Sequence, residues 1–189
     1  MMMQEDIQNA VKVIKSGGTF LYPTDTIWGI GCDATNSKAV DKIYQIKERS
    51  KLSRFIVLLD SPTKILDYVE EVPDILWDLL KSLDTPTTII YPKAKNFPKN
   101  VISKDGSIAI RIVKHEFCQK LIHILNKPII STSANFSAEP SPVVFKDISE
   151  ELKTKVDYIV KAGRDKMNKS KGSTIIKINM NGEFEIIRP

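Results

Sequence analysis

From Phe55 to Leu59 the chain runs through consecutive apolar residues, the pattern of a strand covered on both faces. A sheet built around such a strand needs apolar material above and below it, and the chain offers that material as helical stripes. Ile7, Ala10, Val11 and Ile14 recur at helical spacing and stop at Ser16-Gly17-Gly18. Val40 and Ile43, with Ile46 or Lys47, form the inward face of a helix capped by Asn36 or Ser37. Ser61 supplies a cap and Pro62 a first-turn proline for a short helix through Ile65, Leu66 and Val69. Ile75, Leu76, Leu79, Leu80 and Leu83 follow Pro73 as a core helix, and Phe117, Leu121, Ile124 and Leu125 form another stripe.

Further strands are expected at Thr19 to Tyr22, Thr87 to Tyr91 and Ser107 to Val113, and at the run led by Pro128-Ile129-Ile130. A short helix follows at Ile148 to Leu152 and a strand at Val156 to Val160. The last two strands, Thr174 to Ile178 and Glu183 to Ile187, are joined around Asn181-Gly182, a strong hairpin signal. With no internal repeat and no dividing linker, these elements predict one α/β domain over residues 1–189 with a mixed sheet. A content of 42% hydrophobic and 27% charged residues is that of a chain able to bury a core, which excludes disorder. No apolar run approaches the roughly 20 residues of a membrane helix, and the N-terminus lacks the pattern of a signal peptide. A cytoplasmic location is therefore expected. Cys32 and Cys118 are too far apart to suggest a metal site or disulfide framework and read as packing residues. A net charge of +5 favours anionic ligands such as nucleotides or RNA without selecting one.

Five polar groups interrupt this apolar frame. The stretch Tyr22 to Ala34, YPTDTIWGIGCDA, sets Thr24, Asp25 and Thr26 at the rim of a strand, where they either line a small-molecule pocket or form turn chemistry between two strands. Lys47 and Arg49 stand two apart at a helix end and read locally as solvated charges whose loss shifts stability by well under about 1 kcal/mol. Arg111 lies in mid-strand, on the face opposite Ile108, Ile110 and Ile112, and asks for a partner. Ser133 and Asn135 end another strand, and Ser173-Thr174 precede the final hairpin. His115 and His123 fall on the outside or flank of a helix and are weak candidates for a catalytic base.

In form and order these segments resemble the YrdC-like family of threonylcarbamoyl-AMP synthases in its single-domain form. The likeness runs through YPTDTIWGIGCDA, KERSKLSRFIVLL, SIAIRIV, PIISTSANFSAEPSP and KGSTIIKI. It implies a twisted α/β sheet flanked by helices around a large basic cavity, in which L-threonine, bicarbonate and ATP give L-threonylcarbamoyl-adenylate and pyrophosphate for tRNA modification. It also implies Lys47, Arg49, Ser133 and Asn135 as catalytic and nucleotide-binding residues, Ser173 and Thr174 as further nucleotide contacts, and Thr24, Asp25, Thr26 and Arg111 as substrate contacts. Magnesium is expected to enter with ATP, because no cluster of ligands has the spacing of a protein-built metal site. Partners implied are downstream threonylcarbamoyl-transfer proteins and tRNA.

Three positions depart from the family pattern. Ser50 stands for proline, Ala138 for glycine after Ser137, and Thr85 for glycine before Pro86. Ala138 is the departure expected to disturb a loop that needs unusual backbone angles. The rival reading is a catalytically inactive RNA-binding module, suggested by +5 and by the lysine-rich segments 93–99 and 166–171. Carbamoyl-phosphate-linked chemistry, found in larger proteins that embed a similar domain, would bring additional domains.

Overall fold

The computed structural model describes residues 2–48, 55–166 and 172–189. The elements are α1 (Met2–Lys15), β1 (Phe20–Tyr22), β2 (Gly29–Gly31), α2 (Ser37–Lys47), β3 (Ile56–Leu59), a 3-10 helix at Pro62–Asp67 and α3 (Ile75–Ser82). There follow β4 (Thr87–Tyr91), β5 (Ile108–Ile112), α4 (Glu116–Leu125), β6 (Ile129–Ser133), a 3-10 helix at Phe145–Asp147, α5 (Glu150–Thr154), β7 (Tyr158–Ile159), β8 (Thr174–Ile178) and β9 (Phe184–Arg188). Among the described residues the strands form one sheet in the order β7-β1-β2-β6-β3-β5-β4-β8-β9. Three pairs, β1 with β7, β3 with β5 and β4 with β8, are parallel, and the other neighbours run antiparallel, so the sheet is mixed.

β3 sits in the interior of this order, and its apolar run is covered on both sides. Val57 and Leu59 join α2, Leu76 and the inward isoleucines of β5 in one cluster, while Leu58 joins α1 and α4 in the other. α2 starts at an Asn36 cap whose side chain accepts from the Lys38 and Ala39 amides. Both candidate inward residues at its end are buried, Ile46 and Lys47 alike. Between β1 and β2 the glycines permit close packing: a Cβ on Gly31 would meet the Tyr22 ring at 2.8 Å and run into the Ile130 carbonyl. No helix among the described residues is long and apolar enough to cross a membrane.

Several expectations need correction. The Pro73 helix is not a core helix throughout, because Leu76 alone of α3 is fully buried and Ile75 is 56% exposed. Leu79, Leu80 and Leu83 only lean on the core from a helix at the rim of the fold. Leu66 and Ile124 point to solvent, each at 50% exposure, since their helices bury one narrow stripe against the sheet. Ser61 takes the N-cap position with Pro62 in the first turn as expected, but its side chain makes no capping hydrogen bond, its hydroxyl meeting that of Thr63 at 2.8 Å. The strand expected at Val156 to Val160 shrinks to two paired residues beside β1. Both cysteines are buried as packing residues, with the thiol pKa of each pushed up by burial.

Candidate active site

The chain leaves β1 at Tyr22, passes through Pro23 to Trp28 and returns antiparallel as β2. Within this turn the Thr24 hydroxyl donates to the Ile27 carbonyl at 2.7 Å and accepts the Thr26 amide at 3.1 Å. Its one proton is thus spent, so in the 3.0 Å contact between the two threonine hydroxyls Thr26 is the donor. Thr26 Oγ1 in turn accepts from Arg111 Nη1 at 3.2 Å. The strand-turn-strand reading of this stretch and its use in a site are therefore compatible. The turn chemistry consumes the hydroxyl protons and leaves Thr26 able only to accept.

Arg111 finds the partner its position asks for. Its side chain is 3% exposed, and Nη2 lies 3.1 Å from Asp25 Oδ1. That pair is close but not aligned for hydrogen bonding, and among the described residues Arg111 Nε and Nη2 have no hydrogen-bond acceptor. The other carboxylate oxygen, Asp25 Oδ2, accepts the Lys114 amide at 3.0 Å and ties the turn to the entrance of α4. Cys118 Sγ reaches the Pro23 carbonyl from the same helix.

The register extends this cluster across the sheet. Thr88 on β4 is paired with Arg111, and directly opposed residues share a face. The Thr88 hydroxyl lies 2.7 Å from that of Ser173, both buried, and the Ser173 carbonyl accepts from Arg188 Nε and Nη2. Sequence reasoning passed over Thr88 and Arg188. Thr88 looks like an ordinary strand threonine, and Arg188 is drawn to Ser173 only by the pairing of β8 with β9. Thr174 pairs with Thr87 at the start of the β4–β8 ladder.

A second cluster forms where α2 meets the end of β6. Lys47 is only 2% exposed, and its ammonium donates to the Ser133 carbonyl at 2.6 Å, the Asn135 carbonyl at 2.5 Å and Asn135 Oδ1 at 3.0 Å. The Lys47 carbonyl, an orphan acceptor at the helix end, takes the Ser137 amide and hydroxyl. The expectation of a solvated helix-end lysine is thus overturned: the chain folds the 133–137 loop over it. Asn135 Nδ2 donates to the Glu139 carbonyl, and Ser133 lies opposite Gly29 in the β2–β6 pairing. The Ala134 amide donates to the Trp28 carbonyl, joining the two clusters through backbone. Arg49 and Ser50 lie outside the described residues.

Ala138 has φ +72°, third in a turn closed by the Glu139 amide on the Phe136 carbonyl. That is the left-handed region favoured by glycine, as the departure at this position suggested. Thr85, the other described departure, takes no positive φ and needs no glycine. His115 precedes α4 with Nδ1 buried and, among the described residues, without a hydrogen-bond partner, and burial lowers its pKa against the opposing pull of Asp25. His123 is 81% exposed and lies 3.7 Å from Asp60.

Fold and site together define a mixed α/β protein with cationic and hydroxyl groups set at strand ends and on one sheet face. The chain belongs to the Sua5/YciO/YrdC family, described as telomere recombination, which it matches over residues 12–189. A threonylcarbamoyl-AMP synthase of Pseudoalteromonas translucida is 31% identical over 83% of this chain and 86% of its own length. Another from Vibrio cholerae is 30% identical over 85% of this chain and 87% of its own. The structure of P. abyssi Sua5 complexed with L-threonine superposes with a TM-score of 0.82 at 28% identity, covering 91% of this chain and 50% of that one. This chain therefore spans about half the length of that protein. E. coli YciO shares the fold at a TM-score of 0.83 and 24% identity, over 98% of this chain and 89% of that one.

Proposed function

We propose that this chain is an L-threonylcarbamoyladenylate synthase, a nucleotidyltransferase that condenses L-threonine, bicarbonate and ATP. The threonine nitrogen bonds to the bicarbonate carbon with loss of water and a proton. A carbamate oxygen then attacks the α-phosphorus of ATP, and the bond to pyrophosphate breaks. Both partners in that attack are anions, so the site has to supply fixed positive charge and aligned donors.

The observation that carries the reading is Arg111, buried to 3% exposure with two of its nitrogens, Nε and Nη2, unmet among the described residues. A guanidinium fork in that state suits the carboxylate of an amino acid. Asp25 stands beside it as a counter-charge able to receive an ammonium, and Thr26 offers an acceptor to the same ligand. At the other cluster, Ser133 and the second amide proton of Asn135 suit carbonate or phosphate oxygens. Lys47 gives the loop its charge while holding it in place, and Arg49 is assigned the phosphates. Acceleration then comes from positioning rather than from a protein nucleophile.

Residues 1–189 act in this reading as one domain with the basic cavity that the family resemblance implies. In this reading magnesium arrives on the ATP phosphates. The product goes to a transfer protein acting on tRNA in the cytoplasm. The naming of the relatives as synthases and the likeness to a threonine complex favour this over an inactive RNA-binding module. Incubation with ATP, bicarbonate and labelled threonine tests it: pyrophosphate must appear only with threonine, together with a labelled adenylate by mass spectrometry. Pyrophosphate release indifferent to threonine would overturn the reading.

A further inference from the structure

We propose that Thr88 is a positioning residue for the amino-acid end of this site, holding the Ser173 hydroxyl in place to donate to the substrate beside Arg111. The proposal rests on the synthase reading but concerns a residue to which that reading gives no role. Thr88 and Arg111 are directly opposed on β4 and β5, and the Thr88 hydroxyl is fully buried 2.7 Å from that of Ser173. Ser173 is thereby held at two points, its side chain by Thr88 and its carbonyl by the Arg188 guanidinium.

Proton accounting gives the pair a direction. A carboxylate at Arg111 only accepts, so any hydroxyl that touches it must donate. Ser173 has one hydroxyl proton; if it goes to the ligand, the contact with Thr88 must be filled by the Thr88 proton. The order is then Thr88 to Ser173 to substrate. Ser173 is thus taken with the amino acid, where the family resemblance implied a nucleotide contact. The Thr88 methyl is not needed for this; the hydroxyl is.

Thr88→Val keeps shape and β-branching while leaving Ser173 without its donor. The test measures threonine-dependent pyrophosphate release and the thermal shifts given separately by threonine and ATP. Thr88→Val should raise the KM for threonine about tenfold or more, as expected when a polar group in a site goes unpaired, and leave the KM for ATP within about twofold. Thr88→Ser should restore the wild-type value. Ser173→Ala should match Thr88→Val, and the double variant should be no worse than either, because the two act as a unit.

A rise in the ATP KM instead, a Thr88→Ser variant as impaired as Thr88→Val, or additive losses in the double variant would each overturn the proposal. If Thr88→Val does not fold, Thr88→Ser and Ser173→Ala still decide it through the threonine and ATP shifts. Failure of the wild type to require threonine would instead sink the synthase reading, so the two outcomes are distinguishable.

Discussion

The Lys47 ammonium donates to the Ser133 carbonyl across 2.6 Å, and this contact changes what a lysine at a helix end does. It is a buried post under the Ser133 to Ser137 loop rather than a charge waiting in solvent.

Lys47→Ala should therefore cost stability as well as turnover. Removing the ammonium leaves the Ser133 and Asn135 carbonyls without their donor, which should cost about 3 kcal/mol. Urea unfolding measures it, with Lys47→Arg as the variant that keeps charge but not the fit. A loss below about 1 kcal/mol would return Lys47 to the role of an ordinary surface cation.

Ala138→Gly should stabilise the fold. At φ +72° an alanine Cβ crowds the backbone, a strain of about 1–2 kcal/mol, partly offset by the greater freedom of glycine in the unfolded chain. A net gain of about 0.5–1 kcal/mol is expected from the urea midpoint at unchanged slope. A destabilised variant would mean that the turn carries no strain.

Stability should fall on acidification through His115. Burial holds its folded pKa below the ordinary 6.5, so the unfolded chain binds the proton more readily. Stability is then full above the unfolded pKa and declines as pH drops from there toward the lowered folded value. His115→Gln should flatten the melting temperature across that window. An NMR titration of the imidazole protons should show a midpoint below 6.5, and one above it would contradict the assignment.

Substrate choice should follow the hydroxyl arithmetic of the opening turn. Thr26 has no proton to give, so a substrate hydroxyl must donate to it. Serine keeps that donor and loses a methyl worth roughly 1 kcal/mol of burial, so it should be a poor but real substrate. Valine lacks the donor and should be rejected more strongly. Pyrophosphate release with the three amino acids at matched concentrations measures this, and valine turning over as well as threonine would contradict it.

The periodicities of the sequence sufficed for the layers of the fold. The run Phe55 to Leu59 needs cover on both faces, and the stripes at Ile7 to Ile14 and Phe117 to Leu125 provide it on one side. Local turn chemistry was likewise legible at the Asn36 cap, because backbone conformation there depends on the residue and its near neighbours, whereas Ala138 stood out only against the pattern of the family it resembles. Exposure of Ile75 and Ile124 was not, since a stripe fixes which side of a helix is apolar but not how far the sheet extends beneath it.

The site divides in the same way. Its polar residues stand out in the sequence as interruptions of apolar runs, and the need of Arg111 for a partner follows from its strand alone. Which partner it takes is a long-range matter: Asp25 and Thr26 reach it only because the β1–β2 turn lies beside β5. The hold of Lys47 on Ser133 and Asn135, the pairing of Thr88 with Ser173 and the clamp by Arg188 arise from how strands and loops are brought together. No local pattern encodes them, because each joins segments whose distance along the chain says nothing about their distance in the sheet.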